Sequence, residues 1–208
     1  MPRRLHVFDM DGTLLNGAAA LALSRHFDQL DVGLEIETRW QAGEITDTEF
    51  WTTLLRTCAH ATESDIDAAF ESADWLDGVA DTFADIGRRG EAVIVISQSP
   101  SFFVDRLQGW GAHETYGSNV VIGHPVSADA TLSPQAKVEI TRDALERFSL
   151  SINDCVAYGD SSSDVDLFGW LSHTVAVNAS ATVRALARTD YQGNDLRHAY
   201  ALGRTLLD

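Results

Sequence analysis

The chain has 208 residues, which suits one hydrophobic core or a core that carries a smaller inserted domain. Hydrophobic residues make up 45% of the sequence, which excludes global disorder, and no apolar run approaches the roughly 20 residues of a membrane-spanning helix. The formal net charge of -16 argues against nucleic acid or an anionic membrane as a partner, since both would be repelled.

The cysteines and the N-terminus favour a cytoplasmic protein. Cys58 and Cys155 lie far apart and in no metal-ligand spacing, which is typical of small buried side chains in a reducing compartment. Asp9 and Asp11 interrupt the apolar stretch that follows the basic N-terminus, so we predict no signal peptide. The sequence gives no basis for predicting an oligomeric state.

The chain begins with a short apolar run that predicts a buried strand, Leu5 to Phe8. Residues 9–13 follow with two carboxylates and a glycine, which indicate a turn. Residues 16–75 then show helical apolar spacing and no convincing strand. We therefore predict an all-helical insert over residues 16–75.

After residue 78 the pattern alternates between helices and strands. An unbroken apolar run at residues 92–96 indicates a strand buried on both faces, and residues 112–132 are typical of a hairpin or loop. The further predictions are strands at 154–158 and 174–177 and helices at 79–89, 102–107, 134–148, 164–170 and 179–187.

Such alternation predicts βαβ units. The fold class is therefore α/β, with a doubly wound parallel sheet. Residues 1–15 and 76–208 would form this core, and residues 16–75 would form the helical insert after the first strand.

Polar side chains follow three of the predicted strands. Asp9 and Asp11 follow the first, Ser97 the second and Asp160 the third. In open parallel sheets ligands bind at the carboxyl ends of the strands, so these side chains are expected to converge. Lys137 is the only lysine among 15 basic residues and lies near the start of a predicted helix, which suggests a position that needs a compact ammonium group.

Crowded carboxylates predict a bound cation, and oxygen ligands favour Mg²⁺. A carboxylate beside Mg²⁺ can attack phosphorus, and Asp11 can protonate the leaving oxygen and later activate water. Ser97 and Lys137 can hold the remaining phosphoryl oxygens. The expected substrate is a small phosphorylated metabolite.

The same residues resemble the motifs of the haloacid dehalogenase (HAD) superfamily, in the same order along nearly the whole chain. Residues 8–14, Phe-Asp-Met-Asp-Gly-Thr-Leu, resemble its first motif. Val95-Ile96-Ser97 resembles the second, Lys137 the third and residues 159–164 the fourth.

The resemblance implies a role for each matching residue. Asp9 would be the nucleophile and Asp11 the general acid/base. Mg²⁺ would be held by the Asp9 and Asp160 carboxylates and by the Asp11 backbone carbonyl, and Ser97 and Lys137 would bind phosphate. Because dehalogenases of the superfamily lack an acid at the position of Asp11, its presence favours phosphoryl transfer.

Further residues have supporting roles by the same resemblance. Gln98 would donate its backbone N–H to the phosphate, and Asp164 would support the metal's water shell or orient Lys137. Thr13 and Ser163 would complete the surroundings of the site.

The helical insert resembles the small cap of the phosphoserine phosphatase branch, which closes over the site and reads the substrate. Those phosphatases carry a Glu shortly after the first motif, where this chain has Ala18, and a glycine after the motif-two serine, where this chain has Gln98. Both differences weaken phosphoserine as the substrate while leaving the reaction type intact.

Two alternatives remain at this point. A phosphotransferase or mutase would use the same aspartyl-phosphate with another acceptor, and a non-catalytic binding protein would keep only the scaffold. In the predicted cap, Trp40, Trp51 and Trp75 could line a substrate pocket, but we expect them to be core residues.

Overall fold

The protein is built around a parallel β-sheet. The computed structural model describes residues 1–207. Within them the sheet has the strand order β3-β2-β1-β4-β5-β6, and each neighbouring pair is parallel. The strands are β1 Leu5–Phe8, β2 Ala92–Pro100, β3 Glu114–Ser118, β4 Cys155–Gly159, β5 Thr174–Val177 and β6 Thr189–Tyr191. The predicted doubly wound α/β class is confirmed.

Helices connect the strands and cover the sheet. Of the helices within residues 1–207, none combines the length and the hydropathy needed to cross a bilayer. They are α1 Ala19–His26, α2 Leu30–Gln41, α3 Asp47–Thr57, α4 Glu63–Glu71, α5 Val79–Arg88, α6 Ser101–Val104, α7 Pro134–Phe148, α8 Val165–Trp170, α9 Ala181–Leu186 and α10 Leu196–Leu207.

The sheet is buried on both faces, as the unbroken apolar strands predict. Leu5 and Val7 of β1 belong to the hydrophobic cluster that contains residues of α7, α8 and α9. Phe8 belongs to the other cluster, with Phe83 of α5 and Leu196 of α10. Alternate residues of one strand therefore hold helices on opposite faces.

The helices α1 to α4 lie between β1 and α5 in the chain and share the second of these clusters, through residues such as Leu23, Leu54 and Ile66. Two of them, α3 and α4, begin with a capping residue. The side chains of Thr46 and Thr62 each cap a helix in a reciprocal capping box, which satisfies backbone N–H groups of the first turn.

The predicted hairpin or loop at residues 112–132 is wrong in part. Glu114–Ser118 forms β3, an edge strand that pairs in parallel with β2. The polar segment Glu-Thr-Tyr-Gly-Ser lacks the apolar alternation of a strand, because an edge strand needs little burial. The short strand β6 and helix α10 have no counterpart in the sequence predictions, and β6 is likewise polar.

Candidate active site

The candidate site lies where the chain changes direction across the sheet. From β1 the chain builds β2 and β3 on one side and then returns to β4 on the other. In such sheets the two connections diverge at this point and leave a crevice at the carboxyl ends of the strands. The segments that follow β1 and β4 meet there, as the sequence predicts.

The loop after β1 is shaped by a close approach to Asp160. The Asp9 N–H donates to the Tyr158 carbonyl (2.9 Å) and prolongs the pairing of β1 with β4. Gly12 has a φ of +77°, and a Cβ at this position would overlap the Asp160 carboxylate. Only glycine satisfies both demands, so the Asp-Gly step follows from the geometry of the site.

Lys137 lies between two buried carboxylates. Its Nζ is 3.0 Å from an Asp9 oxygen and 2.6 Å from Asp164 Oδ1, and it donates to Ser163 Oγ at 3.0 Å. Burial alone would lower the pKa of Lys137, but the charges of Asp9 and Asp164 raise it above the usual range. The lysine is therefore a fixed positive charge beside Asp9.

Asp11 is held by three donors. Its Oδ2 accepts from the hydroxyls of Ser97 and Ser99, both at 2.8 Å, and its Oδ1 accepts from the Ala19 N–H at the start of α1 (2.7 Å). Burial raises the pKa of Asp11, while these hydrogen bonds oppose the shift. Asp11 can thus carry a proton at a pH where an exposed aspartate has lost it.

Asp160 and Asp164 complete an acidic cluster. One oxygen each from Asp9, Asp160 and Asp164 lie within 4.8 Å of one another. Thr13 Oγ1 donates to Asp160 (3.3 Å), and Asp164 Oδ2 accepts from the backbone N–H groups of Asp160 and Ser161 at 3.0 and 3.2 Å.

Burial, followed by the charge of Asp164, raises the pKa of Asp160 to about 7. Burial also raises the pKa of Asp9 well above its usual value, against the opposing charge of Lys137. The three clustered carboxylates face a single ammonium group, that of Lys137, so one lysine does not balance their negative charge.

A cavity of about 420 Å³ opens onto these residues. Asp9, Asp11 and Asp160 line it, together with Gln98 and Ser163. Helices α2 and α3 supply another part of the lining, a wall formed by Glu37, Trp40, Gln41, Asp47, Phe50 and Trp51.

The structure thus brings together all the predicted site residues. The side-chain amide of Gln98 donates to the Leu132 carbonyl (3.0 Å). Ser97 is fully buried and engaged with Asp11 and with the Ser99 N–H (3.0 Å). Its phosphate contact stays a prediction.

Three features of the site were missed. Ser99 has the same partner as Ser97, and its spacing of two along a strand could have indicated it. Glu37 lines the cavity only because of how α2 packs, which no local pattern reveals. Trp40, expected in the core, is 38% exposed and lines the cavity, whereas Trp51 lines it while remaining buried.

Comparisons with known proteins identify the family of this chain. The model of the haloacid dehalogenase-like hydrolase family matches residues 6–169. Phosphoserine phosphatase SerB2 of Mycobacterium tuberculosis (strain ATCC 25618 / H37Rv) is 24% identical over 190 residues, covering 89% of this chain. The match covers 46% of that relative, so this chain spans about half its length.

Two solved structures share the fold at a TM-score of 0.77. One is a phospho-aspartyl intermediate analogue of phosphoserine phosphatase, 19% identical, and the other is a substrate-bound phosphoserine phosphatase complex, 18% identical. Each alignment covers 95% of this chain and 97% of the other. The family match spans most of the chain and includes the strands that carry the site, and the chain belongs to the haloacid dehalogenase-like hydrolase family.

Proposed function

We propose that this chain is a Mg²⁺-dependent phosphatase that hydrolyses a small phosphomonoester through an aspartyl-phosphate on Asp9. The observation that carries the proposal is the pairing of two carboxyl groups of different character at one end of a cavity. Asp9 lies 3.0 Å from the Lys137 ammonium, whereas the Asp11 carboxylate is held by neutral donors, the hydroxyls of Ser97 and Ser99. The first suits a nucleophile and the second suits a proton donor.

The donor set fits Mg²⁺. Four carboxylates, those of Asp9, Asp11, Asp160 and Asp164, share the site with one ammonium group, and three of them lie within reach of a common cation. Hard carboxylate oxygens are the ligands that Mg²⁺ prefers. Asp9 and Asp160 would hold the ion together with the Asp11 backbone carbonyl, as the family resemblance implies. When bound, Mg²⁺ neutralises charge on the phosphoryl oxygens and on the attacking carboxylate.

The chain's own residues then divide the reaction into two steps. An Asp9 oxygen bonds to phosphorus while the ester P–O bond breaks, and Asp11 gives its proton to the departing oxygen. Asp11, now ionised, takes a proton from water as that water attacks the phosphorus, which releases phosphate and restores Asp9. Lys137 stabilises charge on the phosphoryl oxygens throughout, and Asp164 and Ser163 fix its position.

Residues 16–75 are proposed to act as the cap, with residues 1–15 and 76–208 as the catalytic core. Two of their helices, α2 and α3, line the same cavity as Asp9, Asp11 and Asp160, so they are placed to exclude water and to select the alcohol part of the substrate. We also propose that Ser97 and the Gln98 backbone N–H contact the phosphoryl group. The location in the cytoplasm stays a prediction from the sequence.

The proposal is tested by hydrolysis of p-nitrophenyl phosphate with Mg²⁺ and with EDTA. We expect turnover that requires the metal and that Asp9→Asn reduces by several orders of magnitude, because an amide is a far poorer nucleophile. Asp143→Asn is the matched control, since Asp143 is exposed on α7 away from the cluster. Metal-independent turnover, or unchanged turnover in Asp9→Asn, would refute the proposed mechanism.

A further inference from the structure

The cavity wall formed by α2 and α3 is acidic and aromatic. It carries the carboxylates of Glu37 and Asp47 beside the rings of Trp40, Phe50 and Trp51. Among the described residues that line the cavity there is no Arg, Lys or His. A substrate group that reaches this wall therefore meets negative charge and ring faces, and it meets no basic side chain.

Glu37 has an unused oxygen on this wall. Its Oε1 accepts from Gln41 Nε2 at 3.2 Å, whereas its Oε2 is buried without a hydrogen-bond partner in residues 1–207. Leaving a buried carboxylate oxygen unpaired is costly unless a ligand supplies the missing donor. Burial, followed by the charge of Asp11, raises the pKa of Glu37, which means that the ionised carboxylate is poorly stabilised. A cationic donor would both pair with the free oxygen and stabilise the ionised form.

The aromatic side chains that line the cavity with Glu37 contact one another. The Trp40 and Phe50 rings are 5.6 Å apart and tilted, and the Phe50 and Trp51 rings are 4.9 Å apart and nearly perpendicular. The Trp40 indole N–H donates to Asp47 at 2.7 Å, which fixes the orientation of the ring. Ring faces near a carboxylate attract ammonium groups through their quadrupoles.

We propose that the alcohol part of the substrate carries an ammonium group and no carboxylate, and that Glu37 binds this ammonium beside the aromatic rings. The inference rests on the proposed phosphatase function and names its substrate class, the phosphate monoesters of amino alcohols. A substrate carboxylate would face Glu37, Asp47 and Asp11 with no basic side chain in the described lining to pair with it. Such unpaired charge is an effective means of rejecting a competing substrate.

The test compares three substrates under the same Mg²⁺ conditions. These are 2-aminoethyl phosphate, propyl phosphate, in which a methyl group replaces the ammonium, and phosphoserine, which adds a carboxylate. We expect kcat/KM for 2-aminoethyl phosphate to exceed that for propyl phosphate by at least about tenfold, the usual size of one charged hydrogen bond. Phosphoserine should be the poorest of the three.

Variants then assign the preference to Glu37. Glu37→Gln should bring the ratio of kcat/KM for 2-aminoethyl phosphate over propyl phosphate close to one, because the amide has no charge. Glu35→Gln is the matched control on the same helix, exposed, and should keep the wild-type ratio. Thermal unfolding of both variants checks that they are folded, and the ratio itself is independent of the fraction of active protein.

The outcomes separate this inference from the function on which it rests. If p-nitrophenyl phosphate is hydrolysed but the wild-type ratio is near one, or phosphoserine is the best substrate, the ammonium site is refuted and the phosphatase stands. A preference that survives Glu37→Gln also refutes it. If no phosphomonoester is hydrolysed, the proposed function fails first, and this inference fails with it.

Discussion

At the scale of single residues, the site is defined by one buried ammonium group among several carboxylates. Lys137 is the only lysine in the chain and is almost completely buried, with Asp9, Asp164 and Ser163 around its Nζ. The sequence could single it out because every other basic residue is Arg. Its partners could be proposed only through the family resemblance, because they lie far away along the chain.

We expect Lys137→Met to lower the free energy of unfolding by about 3 kcal/mol or more, since it leaves two buried carboxylates without a counter-charge. Lys137→Arg should also destabilise, because a guanidinium is larger than the space around a buried ammonium. Urea unfolding of the metal-free protein measures both. The exposed Arg142→Met on the same helix is the control, and a loss for Lys137→Met no larger than that of the control would contradict the account.

Other residues show where prediction from sequence stops. Asp9, Asp11 and Asp160 could be predicted to meet because each follows a strand, and parallel strands bring their carboxyl ends to one edge. Glu37 could not be predicted, since it becomes part of the cavity only through the packing of α2.

At the scale of elements, β2 decides how Asp11 is held. The strand runs to Pro100, beyond the apolar segment that indicates it, with an irregular register against β3 between Ile96 and Pro100. The apolar run predicts the first part of this strand. Residues 97–100 have the polar and proline-containing composition of a turn, so the sequence does not reveal that the strand continues through them. As a result Ser97 and Ser99 both reach the Asp11 carboxylate.

The double variant Ser97→Ala/Ser99→Ala should raise the pKa of Asp11, because the two hydroxyls stabilise its ionised form. The departing oxygen of propyl phosphate needs a proton, so kcat/KM should fall at high pH as Asp11 loses its proton. In the double variant this limb of the pH profile should move to higher pH. The loss of positioning should also reduce kcat/KM by about tenfold, part of what general acid catalysis contributes.

Ser64→Ala, an exposed serine of α4, serves as the control for this pH profile. A double variant that lowers kcat/KM without moving the limb would mean that the serines stabilise the strand and leave the proton on Asp11 unaffected.

At the scale of the whole molecule, the order of elements was predictable to the extent that it depends on hydrophobic patterns. The central strands are strongly apolar and the helices between them are amphipathic or well capped, so the sequence predicts these elements. The edge strands β3 and β6 are short and polar, so they form because neighbours offer them backbone partners and not because of their own sequence.

The charge of the whole molecule matters for the phosphorylated substrate that we propose. A net charge of -16 repels phosphate, and the carboxylates of the site add to the repulsion locally. In the proposed mechanism, Lys137 and a bound Mg²⁺ would reverse the sign of the potential beside Asp9 and Asp160, while the wall of α2 and α3 would stay negative. The two parts of the cavity would then select for opposite charges in one substrate.

The central claim is that the phosphoryl group passes through Asp9, and trapping it there is the most direct test. The protein is mixed with p-nitrophenyl phosphate and Mg²⁺, quenched in acid during turnover, digested with pepsin at low pH and analysed by mass spectrometry. We predict one phosphoryl group, on Asp9, that is absent from Asp9→Asn and from samples with EDTA. A phosphoryl group on any other residue, or wild-type turnover from which none is trapped even in rapidly quenched samples, would contradict the account.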